Sequence, residues 1–263
     1  MTKGLAKKLA LTGLFGLGLV LTTHAHQRLA DYARPPEQPR EPRRIVSLAP
    51  SVTETLYAIG LGDRVVGVTQ FCRYPPEVRQ KPVVAGFSEV NLEAVLRQQP
   101  DLVALPIDKI ANKNNLERLG LTVMPLDTRS LSGLMETIVQ LGQASGRQEE
   151  AAAILARLDQ SIALARQRAA GREKPKVLFS IMHSYQGLGY ITEINAVGQD
   201  GFFSQLIDLA GGLNVYHGPL AFPRLSREAV IFLDPEVIID IIPESEDLEA
   251  VRRDWTSLTS VKA

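Results

Sequence analysis

One stretch of this chain is written twice. Asn91-Leu92-Glu93-Ala94-Val95-Leu96-Arg97-Gln98-Gln99-Pro100-Asp101-Leu102-Val103 returns as Ser226-Arg227-Glu228-Ala229-Val230-Ile231-Phe232-Leu233-Asp234-Pro235-Glu236-Val237-Ile238. Glu, Ala, Val and Pro are identical at matching places, and an acidic residue follows the proline in both. Each copy predicts a short helix and then a buried strand. Asn91 and Ser226 can N-cap the helix by accepting an orphan backbone N–H. Glu93 and Glu228 fall in the first turn, where the helix dipole favours negative charge. The helix stops ahead of the proline, and an apolar run begins the strand. Two such units 135 positions apart predict two related lobes.

The segments around each copy supply the rest of an α/β pattern. Arg44–Leu48 and Val65–Val68 read as strands, with a capping box at Ser51 and Glu54 opening the helix between them. The loop Thr69–Pro76 follows, then short extended Val83–Ala85, a strand over Asp101–Leu105, and another over Leu121–Met124. After Lys174-Pro175 the pattern resumes with Val177–Ile181, a helix over Phe202–Ala210, and Asn214–Tyr216. Strands alternating with helices at these spacings predict mainly parallel sheets covered by helices. Between the halves, from Ser132 to about Ala170, no strand signal occurs. Gly142 and Gly146 interrupt or end one helical face, and Glu149–Arg168 is rich in helix formers. A helix of that length between two lobes suits a rigid connector.

The N-terminus has a different character. Lys3, Lys7 and Lys8 precede the apolar run Leu9–Leu21, and Thr23-His24-Ala25 offers small residues for cleavage. This is the layout of an export signal over residues 1–25; the alternative, an uncleaved anchor, would need a span of ~20 apolar residues. Residues 26–43, with Pro35, Pro36, Pro39 and Pro42, read as an extended tether. The expected divisions are then a first lobe over 44–130, a helical connector over 131–171, and a second lobe over 172–263 that ends one strand and one helix short. Lys+Arg and Asp+Glu balance at 29 each, so no footprint for nucleic acid exists. Cys72 is the only cysteine, which excludes a disulfide within the chain and leaves the core to stabilise an exported protein. The compartment expected is the periplasm.

Catalytic signatures are missing: no nucleophile elbow, no Walker loop, and no G-x-G-x-x-G after a strand. Beyond His24 and His26, only His183 and His217 remain, too few for a His-rich metal site. An exported two-lobed α/β chain without catalytic groups points to binding, with the ligand in the crevice outside the strand ends.

The series Arg44-Ile45-Val46-Ser47-Leu48-Ala49-Pro50-Ser51-x-Thr53-Glu54, Val66-Gly67-Val68, Tyr74-Pro75-Pro76, Asn91-Leu92-Glu93 and Pro100-Asp101-Leu102-Val103 resembles helical-backbone periplasmic binding proteins. That family serves ABC importers of cobalamin, haem and ferric siderophores, and within it the resemblance is strongest to cobalamin binders. It implies two lobes joined by one long helix, a corrinoid held between them, and no enzymatic activity. It implies no resident cofactor and no metal site; the cargo is a cobalamin-like corrinoid, with haem or a ferric siderophore as the alternative. Phe71, Phe87 and Phe222 match aromatic ligand contacts, with Tyr185, Tyr190 and Arg224 as further candidates and Arg73 beside them. Cys72 and His183 are the side chains that could ligate a cobalt or iron centre. Glu93 and Glu228 match the carboxylates that dock on an inner-membrane permease dimer with its ATPase subunits, and the chain is expected to act as a monomer. Departures are phenylalanines where cobalamin binders carry tryptophans, and Ala210 where they carry a disulfide cysteine.

Overall fold

The structure, a computed structural model, describes residues 41–86, 89–183, 191–199, 201–242 and 247–258. The expected export signal, and the tether as far as residue 40, lie outside the described residues. From Pro42 onward the chain forms one compact unit. Pro42 is buried, and its carbonyl accepts a hydrogen bond from Arg64 Nη1 at 3.0 Å. The last residues assigned to the tether are thus part of the folded body.

The first lobe is built from β1 (Ile45–Ser47), α1 (Pro50–Ala58), β2 (Val65–Thr69), β3 (Val83–Ala85), α2 (Leu92–Arg97), β4 (Leu102–Pro106), α3 (Lys113–Arg118) and β5 (Val123–Leu126). Its five strands lie in the order β3-β2-β1-β4-β5, and every pairing is parallel. Successive residues feed opposite faces. Ile45, Leu102 and Ala104 join one apolar cluster, whereas Val46, Val103 and Leu105 join the other. A sheet buried on both faces is what near-continuous apolar strands produce.

Two sequence expectations shift here. The capping box at Ser51 and Glu54 does not form: the helix starts two residues earlier, with Ala49 as N-cap and Pro50 in the first helical position. Proline fits there because its missing N–H would be unpaired anyway. The strands expected at Asp101–Leu105 and Leu121–Met124 run from Leu102 and Val123.

Two helices follow, α4 (Leu131–Ser145) and α5 (Gln148–Ala169). Gly142 stays inside α4; Gly146, with φ 70°, ends it. At 22 residues α5 is about 33 Å long. Ala151, Ile154, Leu155 and Leu158 pack on the first-lobe core. Its other end meets the second lobe: a Cβ at Gly211 would come within 2.6 Å of Ala169 Cβ, and φ of +82° there also favours glycine.

The second lobe contains β6 (Lys176–His183), β7 (Glu193–Ala196), α6 (Phe203–Leu209), β8 (Leu213–Asn214), β9 (Arg224–Ser226), α7 (Arg227–Leu233), β10 (Val237–Asp240) and α8 (Leu248–Thr256). Its sheet runs β10-β6-β7-β9, with β8 beside the start of β6. The pairings of β10 and β8 with β6 are parallel, but β7 is antiparallel to both β6 and β9. The α/β class with two sheets holds, and the second sheet is mixed rather than parallel.

The repeated unit plays the same part in both sheets. Asn91 Oδ1 accepts from Ala94 N at 2.9 Å, and Ser226 Oγ from Ala229 N at 3.3 Å. Val95 and Val230 are fully buried in their clusters, and Pro100 and Pro235 are buried too. Gln99 and Asp234, each before the proline, both adopt φ 47°. The acidic residue after the proline then holds the start of the central strand. Asp101 accepts from Arg43 N at 2.7 Å and Arg44 N at 2.9 Å, and Glu236 Oε2 accepts from Lys176 N at 2.9 Å. In register, Leu102 lies opposite Ile45 and Val237 opposite Val177.

Charge-assisted bonds to backbone N–H contribute about 1.5–3 kcal/mol each when shielded, and less where exposed. Asp101→Ala is expected to lower stability by about 1–2 kcal/mol, and Asn91→Ala by about 1 kcal/mol through loss of the cap. Urea unfolding followed by circular dichroism measures both; an unchanged midpoint for Asp101→Ala would mean the carboxylate holds nothing.

Candidate functional site

The carboxyl edge of the first sheet is formed by the loops after β1, β2, β3 and β4. Phe71 stands two residues past β2 and is 44% exposed. Its neighbour Cys72 is buried, with Sγ 3.2 Å from both Thr53 Oγ1 and Thr69 Oγ1. Thr53 Oγ1 in turn donates to Ser47 Oγ at 2.7 Å. The thiol thus joins the loop to β1 and α1, and fixes the mount on which Phe71 is presented. Among the described residues no group of three or more His, Cys, Asp or Glu could hold a metal ion.

Sequence reasoning missed Lys109 at the same edge. Its ammonium donates to Leu48 O at 3.2 Å and Gly86 O at 3.3 Å, tying together the loops that follow β1, β3 and β4. Burial pushes its pKa down, with Asp108 opposing. Nothing in Pro106-Ile107-Asp108-Lys109 sets this lysine apart from a solvated one, because its partners are backbone carbonyls distant in sequence.

In the second lobe Phe222 is 49% exposed. It belongs to a segment running antiparallel beside β7, where Gly198 N donates to Ala221 O at 2.8 Å and Ala196 N to Pro223 O at 2.9 Å. Arg224, expected near the ligand, is already committed: its guanidinium grips Glu193 Oε1, with Nε at 2.7 Å. An anionic ligand would have to compete with that carboxylate. Phe87, Tyr185 and Tyr190 lie outside the described residues. His183 ends β6.

Glu93 and Glu228 each occupy the second position of a helix that follows an edge strand, α2 after β3 and α7 after β9. Both are exposed. Glu93 pairs with Arg97 one turn on at 2.9 Å. Glu228 has Phe232 one turn on; a hydrogen bond from the Ser226 side chain, then its own backbone N–H, hold its carboxyl below the usual range, with the Arg227 charge acting the same way. None of these predicted residues lines the cavity of about 800 Å³ beside α1, which is bounded by Glu54, Tyr57, Asp63, Tyr74, Glu77 and Lys81, among others.

The family model for periplasmic binding proteins matches residues 45–260. The chain belongs to the periplasmic binding protein family. The vitamin B12-binding protein of Pectobacterium carotovorum is 30% identical over 207 residues, 75% of this chain and 71% of that one. The ABC transporter substrate-binding lipoprotein YvrC of Bacillus subtilis, itself uncharacterized, is 29% identical over 85% of this chain and 71% of its own. Among solved structures, the periplasmic vitamin B12 binding protein BtuF of Vibrio cholerae superposes with a TM-score of 0.71 at 25% identity, covering 84% of each chain. The periplasmic heme-binding protein BhuT, in complex with two hemes, gives 0.67 at 26% identity, covering 79% of each. Family members of this kind bind solutes for transport and are not enzymes.

The lobes of this periplasmic binding protein also meet where the chain leaves β5. Asp127 is clasped by Arg129 through Nε at 3.0 Å and Nη2 at 2.9 Å, and also accepts from Arg129 N at 3.0 Å. This pairing lowers the Asp127 pKa from 3.8 to about 2. Two residues on, Leu131 N donates to Gln205 Oε1 of the second lobe at 2.9 Å. A Cβ at Gly201 would come within 2.9 Å of Arg129 O. The clasp therefore shapes the turn that touches the other lobe.

Because the folded pKa of Asp127 lies below its unfolded value, its stabilisation is present above about pH 4 and fades as pH falls toward 2. Asp127→Asn should be less stable than wild type at pH 7, with the difference vanishing near pH 2. Urea midpoints across that range decide it, and a gap independent of pH would show that the charge plays no part.

Proposed function

We propose that this chain is a periplasmic solute-binding protein that captures a corrinoid between its lobes and delivers it to an ABC permease. The observation that carries the reading is Phe71, a half-exposed ring at the carboxyl edge of the first sheet, held by the buried Cys72–Thr53–Ser47 cluster. A fixed aromatic face suits a large flat macrocycle, since it adds contact area at low rotamer cost. Relatedness to vitamin B12-binding proteins supports the same cargo. Phe222, and by position Phe87 and Tyr185, would complete the aromatic lining. Haem is the second reading, favoured by the likeness to a heme-bound family member; a ferric siderophore fits less well while Arg224 is paired with Glu193.

Delivery requires a partner, here an inner-membrane permease dimer with ATPase subunits, approached by a monomeric chain freed of residues 1–25. Glu93 and Glu228, one at the same topological place in each lobe, suit basic groups on such a two-fold partner, where charge complementarity sets orientation and on-rate. The cargo is not a resident cofactor.

Calorimetry of the mature chain with cobalamin, haem and ferric siderophores separates the cargoes. Cobalamin should bind at micromolar concentration or tighter, and its failure to do so while haem binds would transfer the reading to haem. Phe71→Ala should weaken the favoured ligand about tenfold, or ~1.4 kcal/mol, with Phe222→Ala acting in the same direction. Glu93→Arg combined with Glu228→Arg should retain ligand affinity and abolish uptake; persistent uptake would refute the docking role.

A further inference from the structure

The two copies of the repeat differ at one place that the fold does not explain. Four residues after the glutamate, the first copy has Arg97 and the second has Phe232. Residues at that spacing are neighbours on one helix face. In α2, Arg97 reaches back and pairs with Glu93. In α7, Phe232 is 87% exposed, more than any other large apolar side chain among the described residues. The rest of the helix behaves conventionally. Val230 is fully buried, and Ala229, Ile231 and Leu233 pack against the second-lobe core. Phe232 therefore shares the outward face with Glu228, an exposed carboxylate that a hydrogen bond from Ser226 holds below the usual carboxyl range.

We infer that Phe232 is the apolar anchor of the second-lobe docking face, and that its occupant is a permease surface presenting a cationic side chain beside an apolar recess. This rests on the transport reading above. Charge complementarity selects the occupant. The ionised Glu228 asks for a guanidinium or ammonium, and the adjacent ring, which can bury roughly 150–250 Å², asks for an apolar socket next to it. The lobes consequently dock unequally. Glu93 offers charge already shared with Arg97, whereas Glu228 and Phe232 offer charge joined to apolar contact, so a two-fold partner would be gripped more firmly on one side.

The test uses the full mature chain and its permease–ATPase complex in lipid nanodiscs. Phe232→Ser should bind cobalamin or haem within twofold of wild type, because it lies within α7 and not in the loops that carry Phe71 and Phe222. Its affinity for the permease should fall at least tenfold at both low and high salt. Glu228→Gln should also bind the permease more weakly, with a defect that shrinks as salt screens the charge. Arg97→Ser should change permease affinity less than threefold. Permease binding by Phe232→Ser within twofold of wild type overturns the inference, even if the ligand reading stands. So does a result in which the substitution abolishes only self-association of the chain, since the ring would then face a second copy. Failure of the wild-type chain to bind any of the tested ligands would instead strike the transport reading, independently of how Phe232→Ser behaves.

Discussion

The parallel pairing of β1 with β4, and of β6 with β10, is the constraint on which both lobes depend. It joins residues far apart in sequence, so closing the loop costs entropy before any contact repays it. The repeated unit meets this cost with local order. A capped helix, a left-handed residue and a buried proline deliver an acidic side chain to the backbone N–H groups that open the central strand. Register follows from that clamp. A slip of one residue would exchange Ile45 and Leu102 with Val46 and Val103 and invert both apolar clusters. With register fixed, the carboxyl edge of each sheet is fixed too, and so are the loops that can touch a ligand.

Much of this was legible because it is written in local chemistry. Asn91 and Ser226 cap as their side chains predict, and the connector helix runs within one residue of its expected limits, Gln148–Ala169 against Glu149–Arg168. What escaped depends on distant partners. Pro50 displaced the expected capping box by favouring an earlier start. β7 and β9 are four and three residues long, too short for alternation to show, and their antiparallel pairing is a tertiary fact. Lys109 and the Leu131–Gln205 bond were invisible for the same reason: lysine to carbonyl and amide to backbone leave no spacing to read. Of the site, the exposure of Glu93, Glu228, Phe71 and Phe222 follows from their positions beside helix starts and in loops, whereas the commitment of Arg224 to Glu193 leaves no local signal.

The lobes are related but have diverged in how they hold their edge strands. In the first, β3 joins a wholly parallel sheet, and Lys109 ties the loop after it to the loop after β1. In the second, the corresponding edge is an antiparallel pair, β7 and β9, fastened across by the Arg224–Glu193 ion pair. One edge is pinned by a partly desolvated ammonium on backbone carbonyls, and the other by a ladder with an exposed charge pair. The first should therefore be the stiffer platform, which agrees with a rigid mount for Phe71.

Pairing with Arg97 does not disqualify Glu93 as the proposed docking group, because the pair is weak. Both side chains are largely exposed, 71% and 83%, and an ion pair of this spacing on a helix is worth about 0.3–0.5 kcal/mol. A partner's guanidinium meeting Glu93 in a partly dehydrated interface gains more than that, so Arg97 would yield or turn aside. The pair acts instead on the free protein, where Arg97 offsets the charge of Glu93. In the second lobe the residue one turn after Glu228 is the exposed ring of Phe232. An approaching basic surface would then meet a paired carboxylate on one lobe and a carboxylate beside an exposed ring on the other, because Arg97 stands where the second copy has Phe232.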